Sequence, residues 1–208
     1  AVPPGLRVAS MYSFNRRPLT IPVKTVRKPT RLTASVATTV NIKEETTEVE
    51  TLLTYFVEYA GLDTFRFSLP KEVAGDVQIV SLESAPLPPI KQKVKADKEE
   101  DGWLTWTITL QREVTGPYRF KLTYDIKPQD GEGDKATEKA KRSAVHVARV
   151  LGLDGSDAKK REVALASMQG EVVIDKARSL AINATKLDES LESIDVRELT
   201  LMPQSGAQ

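Results

Sequence analysis

The 208-residue sequence predicts an all-β fold, an antiparallel β-sandwich-like module with additional strands from both chain ends. Three observations carry this expectation. Apolar residues recur at every second position in several runs, the period of a half-buried strand. Glycine- and proline-containing turn chemistry separates those runs. The alternation is clean on one face, whereas strands of a parallel α/β sheet tend to be apolar on both.

The clearest run places Leu104, Trp106, Ile108 and Leu110 on one face, with Thr105, Thr107 and Thr109 suited to solvent on the other. Tyr118, Phe120, Leu122, Tyr124 and Ile126 alternate with Arg119, Lys121, Thr123 and Asp125 in the next. Thr115-Gly116-Pro117 between them reads as a turn, so the two are expected to pair as an antiparallel hairpin. Upstream, Leu53, Tyr55, Val57 and Tyr59 form one stripe. Phe65, Phe67 and Leu69 form another, joined to it through Ala60-Gly61-Leu62-Asp63. Pro70 ends that second stripe, because proline cannot donate to a ladder. Val77 and Ile79 start a further strand. Residues 84–102, with Pro86, Pro88, Pro89 and a charged run, read as a loop or ragged edge.

Four segments follow: residues 1–29 as an N-terminal strand segment packing on another sheet, 30–128 as the β-sandwich-like domain, 129–142 as a linker, and 143–208 as a C-terminal β-rich segment. Around 134–151 two readings compete. Ala136, Ala140, Ala144, Val147 and Leu151 fit one helix face, while the valines and the Gly152-to-Asp157 turn fit a hairpin. Strand is the reading taken. Val163 to Ile174 and Leu180 to Ala184 are expected as two more strands. Ile194, Val196 and Leu199 anchor a polar stretch, and the tail from Pro203 is expected to fray.

Composition narrows the chemistry. The chain carries 30 basic and 29 acidic side chains, so no general attraction to nucleic acid or to an anionic membrane is expected. The absence of cysteine removes disulfides, thiolate metal sites and thiol nucleophiles. No run approaches the ~20 apolar residues of a membrane-crossing helix. His146 is the only histidine and sits in an Ala/Val-rich run, with no Gly-x-Ser-x-Gly anywhere. A structural or surface role fits it better than a Ser-His-Asp relay. A zinc site built on one histidine and no cysteine would need three carboxylates.

Asp130, Glu132 and Asp134 have a calcium-like spacing. The EF-hand pattern fails, however, at Lys135 and Lys141, and a solvated linker is the simpler reading. Trp103 and Trp106 fall on opposite faces of a strand, Trp106 toward the core; for Trp103 packing at an edge is preferred over an exposed sugar- or protein-binding spot. Asn183-Ala184-Thr185 has the form of a glycosylation acceptor. Glu44/Glu45 and Glu99/Glu100 are sequence neighbours and belong to surfaces.

Charge is distributed unevenly. The first 42 residues hold Arg7, Arg16, Arg17, Lys24, Arg27, Lys28 and Arg31 with no acid, leaving the remainder at a net of −6. A basic arm could bind a polyanion. A basic strand pairing with acids such as Glu44 to Glu50 is the preferred reading.

Several motifs together resemble large tandem-module envelope proteins of planctomycete-type bacteria. They are Tyr12-x-Phe14-x-Arg16-x-Pro18-Leu19-x-Ile21, Leu53-x-Tyr55-x-Val57, Phe65-x-Phe67-x-Leu69-Pro70, Gly116-x-Tyr118-x-Phe120-x-Leu122-x-Tyr124, Gly170-x-Val172-x-Ile174 with Leu180-x-Ile182, and Ser193-Ile194-Asp195-x-x-Glu198-Leu199. The resemblance implies modules repeating at about 200 residues and brings no active-site residue. It implies an extracytoplasmic location, in the periplasm or at the cell surface. It also implies partners among neighbouring modules of the same polypeptide or other envelope components.

The expectation is a non-catalytic structural or adhesive module, not an enzyme. No cofactor, no metal and no catalytic residue is assigned, binding residues are left unknown, and neither nucleic acid nor membrane insertion is expected. A carbohydrate- or polyanion-binding module using the basic N-terminal segment is the alternative, and a hydrolase is the third.

Overall fold

A computed structural model of the chain describes residues 12–13, 15, 20–130, 141–157, 159–183 and 188–201. Among them the strands are β1 (Arg31–Ile42), β2 (Thr47–Pro70), β3 (Gln78–Ser81), β4 (Ile90–Lys95), β5 (Trp103–Ile126), β6 (Gln129–Asp130), β7 (Lys141–Arg142), β8 (Arg149–Leu151), β9 (Leu153–Asp154), β10 (Glu162–Val163) and β11 (Leu165–Lys176). A single helical turn, α1 (Lys71–Ala74), follows β2, and a 3-10 turn covers Val196–Glu198. The fold is all-β.

β2 and β5 organise the molecule. Each is 24 residues long, and they run antiparallel along each other from end to end. In the first arm of this ribbon Thr47 faces Ile126 and Val57 faces Gly116; in the second, Thr64 faces Thr109 and Pro70 faces Trp103. Between the arms the register slips on both strands. Tyr59 and Gly116 take up φ of 71° and 87° there. Such bulged corners let one strand pass from one layer of a sandwich to the other.

The hairpin expected between 104–110 and 118–126 is therefore not formed. Thr115-Gly116-Pro117 bends one continuous strand, because β2 accompanies it through the corner and keeps its backbone groups paired on either side. The stretch Ala60 to Asp63 does the same for β2, so two expected stripes are a single strand.

Folding the ribbon over itself brings the two arms into contact. Phe65 of the second arm lies 4.8 Å from Tyr55, 5.8 Å from Tyr118 and 5.6 Å from Phe120, ring centre to ring centre, all on the first arm. The Tyr55 hydroxyl donates to the Arg66 carbonyl at 2.9 Å. These four rings are fully buried. Each contributes about 2–3 kcal/mol by area, and the edge-to-face contacts add to that. Leu53, Leu62, Phe67, Leu69, Ile108, Leu110 and Leu122 belong to the same core, as do Leu32, Val36 and Val40 of β1. Thr105, Thr107 and Thr109, expected in solvent, are half-buried beside their cross-strand neighbours Ser68, Arg66 and Thr64.

Further strands extend both arms. On the first arm β1 pairs antiparallel with β2, and β3 pairs with β5; on the second, β4 pairs with β5 and β8 with β2. β11 pairs with β1 in parallel, Leu32 facing Leu165 and Ile42 facing Lys176. The sheet is thus mixed and not wholly antiparallel, and residues 143–208 supply β8 and β11 to it. β9 and β10 form a small separate pair, as do β6 and β7 within the expected linker.

Three further expectations need correcting. No strand forms over the described residues 20–29 of the N-terminal segment, where Pro22 and Pro29 interrupt backbone donation. Residues 180–183 are not a strand; a turn at Arg178 and Ser179 follows β11 directly. Around 144–151 only Arg149–Leu151 is strand, and residues 143–148 are irregular. The Glu132 and Asp134 carboxylates, the Asp130 side chain and the Ala184-Thr185 part of the glycosylation motif lie outside the described residues.

Candidate contact surfaces

His146 is exposed, and its ring stands edge-on to Trp103 at 5.8 Å. Its backbone carbonyl accepts a hydrogen bond from the Tyr124 hydroxyl at 3.2 Å. No carboxylate–imidazole–serine relay surrounds it among the described residues, and no group of three His, Asp or Glu is gathered there to hold a metal. Burial pushes the Tyr124 hydroxyl up to about 12 and the Tyr55 hydroxyl further still, so both stay neutral hydrogen-bond donors.

The Arg149 guanidinium stacks on Trp103, 3.7 Å from the ring centre, and so takes one face of the indole. Trp106 packs against the core, and its indole N–H donates to the Ala74 carbonyl at 3.2 Å. An open depression of about 450 Å³ near α1 is lined by Lys71, Asp97, Lys98, Glu99 and Leu104. The Lys71–Glu99 ion pair, 2.7 Å, spans part of it.

A polar clamp, unseen in the sequence, fixes the loop from Asp154 to Arg161 to the corner of β2. Arg161 donates to the Asp63 carboxylate, to Thr64 Oγ1 at 3.0 Å and to Asp157 Oδ2 at 2.9 Å. Lys159 bridges Asp63 and Glu113, each at 2.7 Å. Burial alone would raise the Asp63 carboxyl. The hydrogen bonds from Lys159, Arg161 and Thr64, with the Arg161 charge, outweigh it and hold the group at about 2.

Further along the same strand, Arg66 pairs with Asp154 at 2.6 Å. That contact and the bonds from Ser156 hold Asp154 well below the usual carboxylate range. Arg66 Nε and Arg161 Nη1 are buried with no hydrogen-bond partner, although Arg66 Nη1 holds Asp154 and Arg161 Nε and Nη2 hold Asp157 and Asp63. This clamp joins distant segments.

Elsewhere the charges knit strands together. Arg31 meets Glu58 across β1–β2 at 3.2 Å, Lys43 meets Glu48, and Lys121 meets Glu50 across β2–β5 at 2.5 Å. Arg119 forks onto Glu83 at 2.7 and 3.5 Å. Arg31 thus takes Glu58 and not an acid of the 44–50 run, because the β1–β2 register sets the two directly opposite. Lys28 lies 4.7 Å above the Tyr59 ring, while Lys24 and Arg27 are exposed. Arg7, Arg16 and Arg17 lie outside the described residues.

No family model matches the chain, and no curated protein does. Among solved structures it has a slight likeness to an M1 zinc metallopeptidase from Deinococcus radiodurans, with a TM-score of 0.27, 16% identity and 49% of this chain covered. A mutant of such an enzyme from the same organism, bound to a Tyr-Ser-Ala substrate, gives a TM-score of 0.29, 14% identity and 48%. The chain spans 21% of the length of either. Likeness at this level assigns no chemistry to the residues described above.

Proposed function

We propose that this chain is a structural or adhesive β-module of a larger exported bacterial polypeptide, working through surface contact with neighbouring modules or other envelope components. The observation that carries the reading is where its charges go. Arg31, Lys43, Arg66, Arg119, Lys121, Lys159 and Arg161 are each matched by a carboxylate on a neighbouring strand or loop. A polyanion-binding face needs cations aligned and unmatched instead. Trp103, the other candidate for ligand stacking, already carries Arg149 on its ring.

Heparin chromatography of the whole chain and of a chain lacking residues 1–29 tests this. A structural module elutes with the unretained fraction at about 50 mM salt in both forms. Retention that falls steeply by about 200 mM salt, and that disappears with the arm, would establish the polyanion-binding alternative.

A further inference from the structure

Apolar surface left uncovered is concentrated toward the two ends of the chain. In the arm Ile21, Val23 and Val26 are 49%, 78% and 78% exposed. Met168 and Ile174 on β11 are each 50% exposed, and Leu191, Ile194 and Val196 beyond it are 49%, 47% and 80%. Side chains of this kind, clustered and unburied, mark a contact site.

β11 is also the outermost strand of its sheet. β1 lies on one side, and among the described residues no strand pairs on the other. An unpaired edge offers a row of backbone N–H and C=O groups to an incoming extended segment. The C-terminal stretch is moored to this strand: the backbone N–H groups of Thr200 and Leu201 and the Thr200 hydroxyl all donate to Glu171, at 2.8, 2.8 and 2.9 Å.

The signs of charge match. Asp188, Glu189, Glu192, Asp195 and Glu198 are exposed, with Arg197 the single base between them. Lys24, Arg27 and Lys28 lie in the arm, and no acid occurs before Ile42.

We propose that the arm of one copy docks onto the β11 edge and the acidic 188–198 stretch of a second copy, head to tail. The arm presents its extended backbone between Pro22 and Pro29. Ile21 and Val23, on one face of the extended arm, cover the exposed side chains of β11, and Lys24 on the other face meets the carboxylates of its C-terminal extension. The two patches are different surfaces, so the contact is heterologous and each copy offers one donor and one acceptor. This inference rests on the reading of the chain as a contact module.

Sedimentation velocity of the whole chain over about 1–100 µM, at low and at high salt, tests it. Association that rises with concentration and weakens with salt is expected. Removal of residues 1–29 leaves an acceptor only, and Glu189→Lys with Glu192→Lys leaves a donor only. Each alone is monomeric, with affinity reduced by about tenfold or more, and a mixture of the two forms a one-to-one complex.

A whole chain that stays monomeric throughout overturns the docking. So does association that survives loss of the arm, or two variants that fail to combine. A monomer that ignores heparin leaves the structural reading standing. A monomer held by heparin through its arm overturns both.

Discussion

Replacing Arg161 by methionine probes the clamp directly. Methionine keeps much of the side-chain length and removes every charged hydrogen bond. Asp63, Thr64 and Asp157 would lose a partner together. Two routes give the magnitude. Holding Asp63 at about 2 against an ordinary 3.8 corresponds to roughly 2 kcal/mol at neutral pH, shared between Arg161, Lys159 and Thr64. Breaking a buried ion pair from one side costs about 3–5 kcal/mol. The Arg161 side chain is 20% exposed and Lys159 remains on Asp63, so about 2–3 kcal/mol is the expected loss.

At about 2–4 °C per kcal/mol for a chain of this size, Tm falls by about 4–12 °C. The acid limb supplies a second readout. A carboxyl lowered in the folded state stabilises above its unfolded value, and that contribution is lost as pH falls from about 4 toward 2. In Arg161→Met burial still raises Asp63 while one of its strongest partners is gone. The Asp63 contribution to the limb should therefore shrink, and Tm should fall less steeply between about pH 4 and 2 than in the parent. Thermal melts across about pH 2–7 measure both effects. A variant whose Tm stays within about 1 °C of the parent, with an unchanged acid limb, refutes the clamp as a source of stability.

Phe65→Ala removes the ring that joins the two arms and should cost about 3–5 kcal/mol, read from the denaturant midpoint. Gly152→Ala places a methyl group 2.3 Å from the Val163 carbonyl oxygen, a backbone atom that cannot swing away. A loss of about 1–3 kcal/mol is expected, with faster hydrogen exchange at β9 and β10 than at β2.

Much of the strand content was legible because alternation is local. Leu104 to Leu110 and Tyr118 to Ile126 each announce a buried face through neighbours two residues apart. What each strand pairs with is a separate matter. Gly116-Pro117 has the same chemistry whether it closes a hairpin or bends a strand, and only the path of β2 beside it decides. Residues 180–183 keep a strand-like spacing but find no partner.

The clamp was invisible for a related reason. Asp63, Glu113 and Arg161 are far apart in sequence, and no spacing rule links groups that the corner brings together. The exposure of Ile21, Val23 and Val26 was likewise hidden, because an apolar residue in an extended segment reads the same covered or bare.

The parallel seat of β11 beside β1 has a consequence for synthesis on the ribosome. β1 is made well ahead of its outer neighbour, with β2 and β5 between them in sequence. Until Leu165 to Lys176 emerge, the backbone along Leu32 to Ile42 stays open to any passing extended polypeptide. Such distant pairing is also slow to form, since most of the chain must be held as a loop before the contact rewards it. Emergence of β11, more than the folding of the centre, sets the interval during which the nascent protein is prone to stick to its siblings.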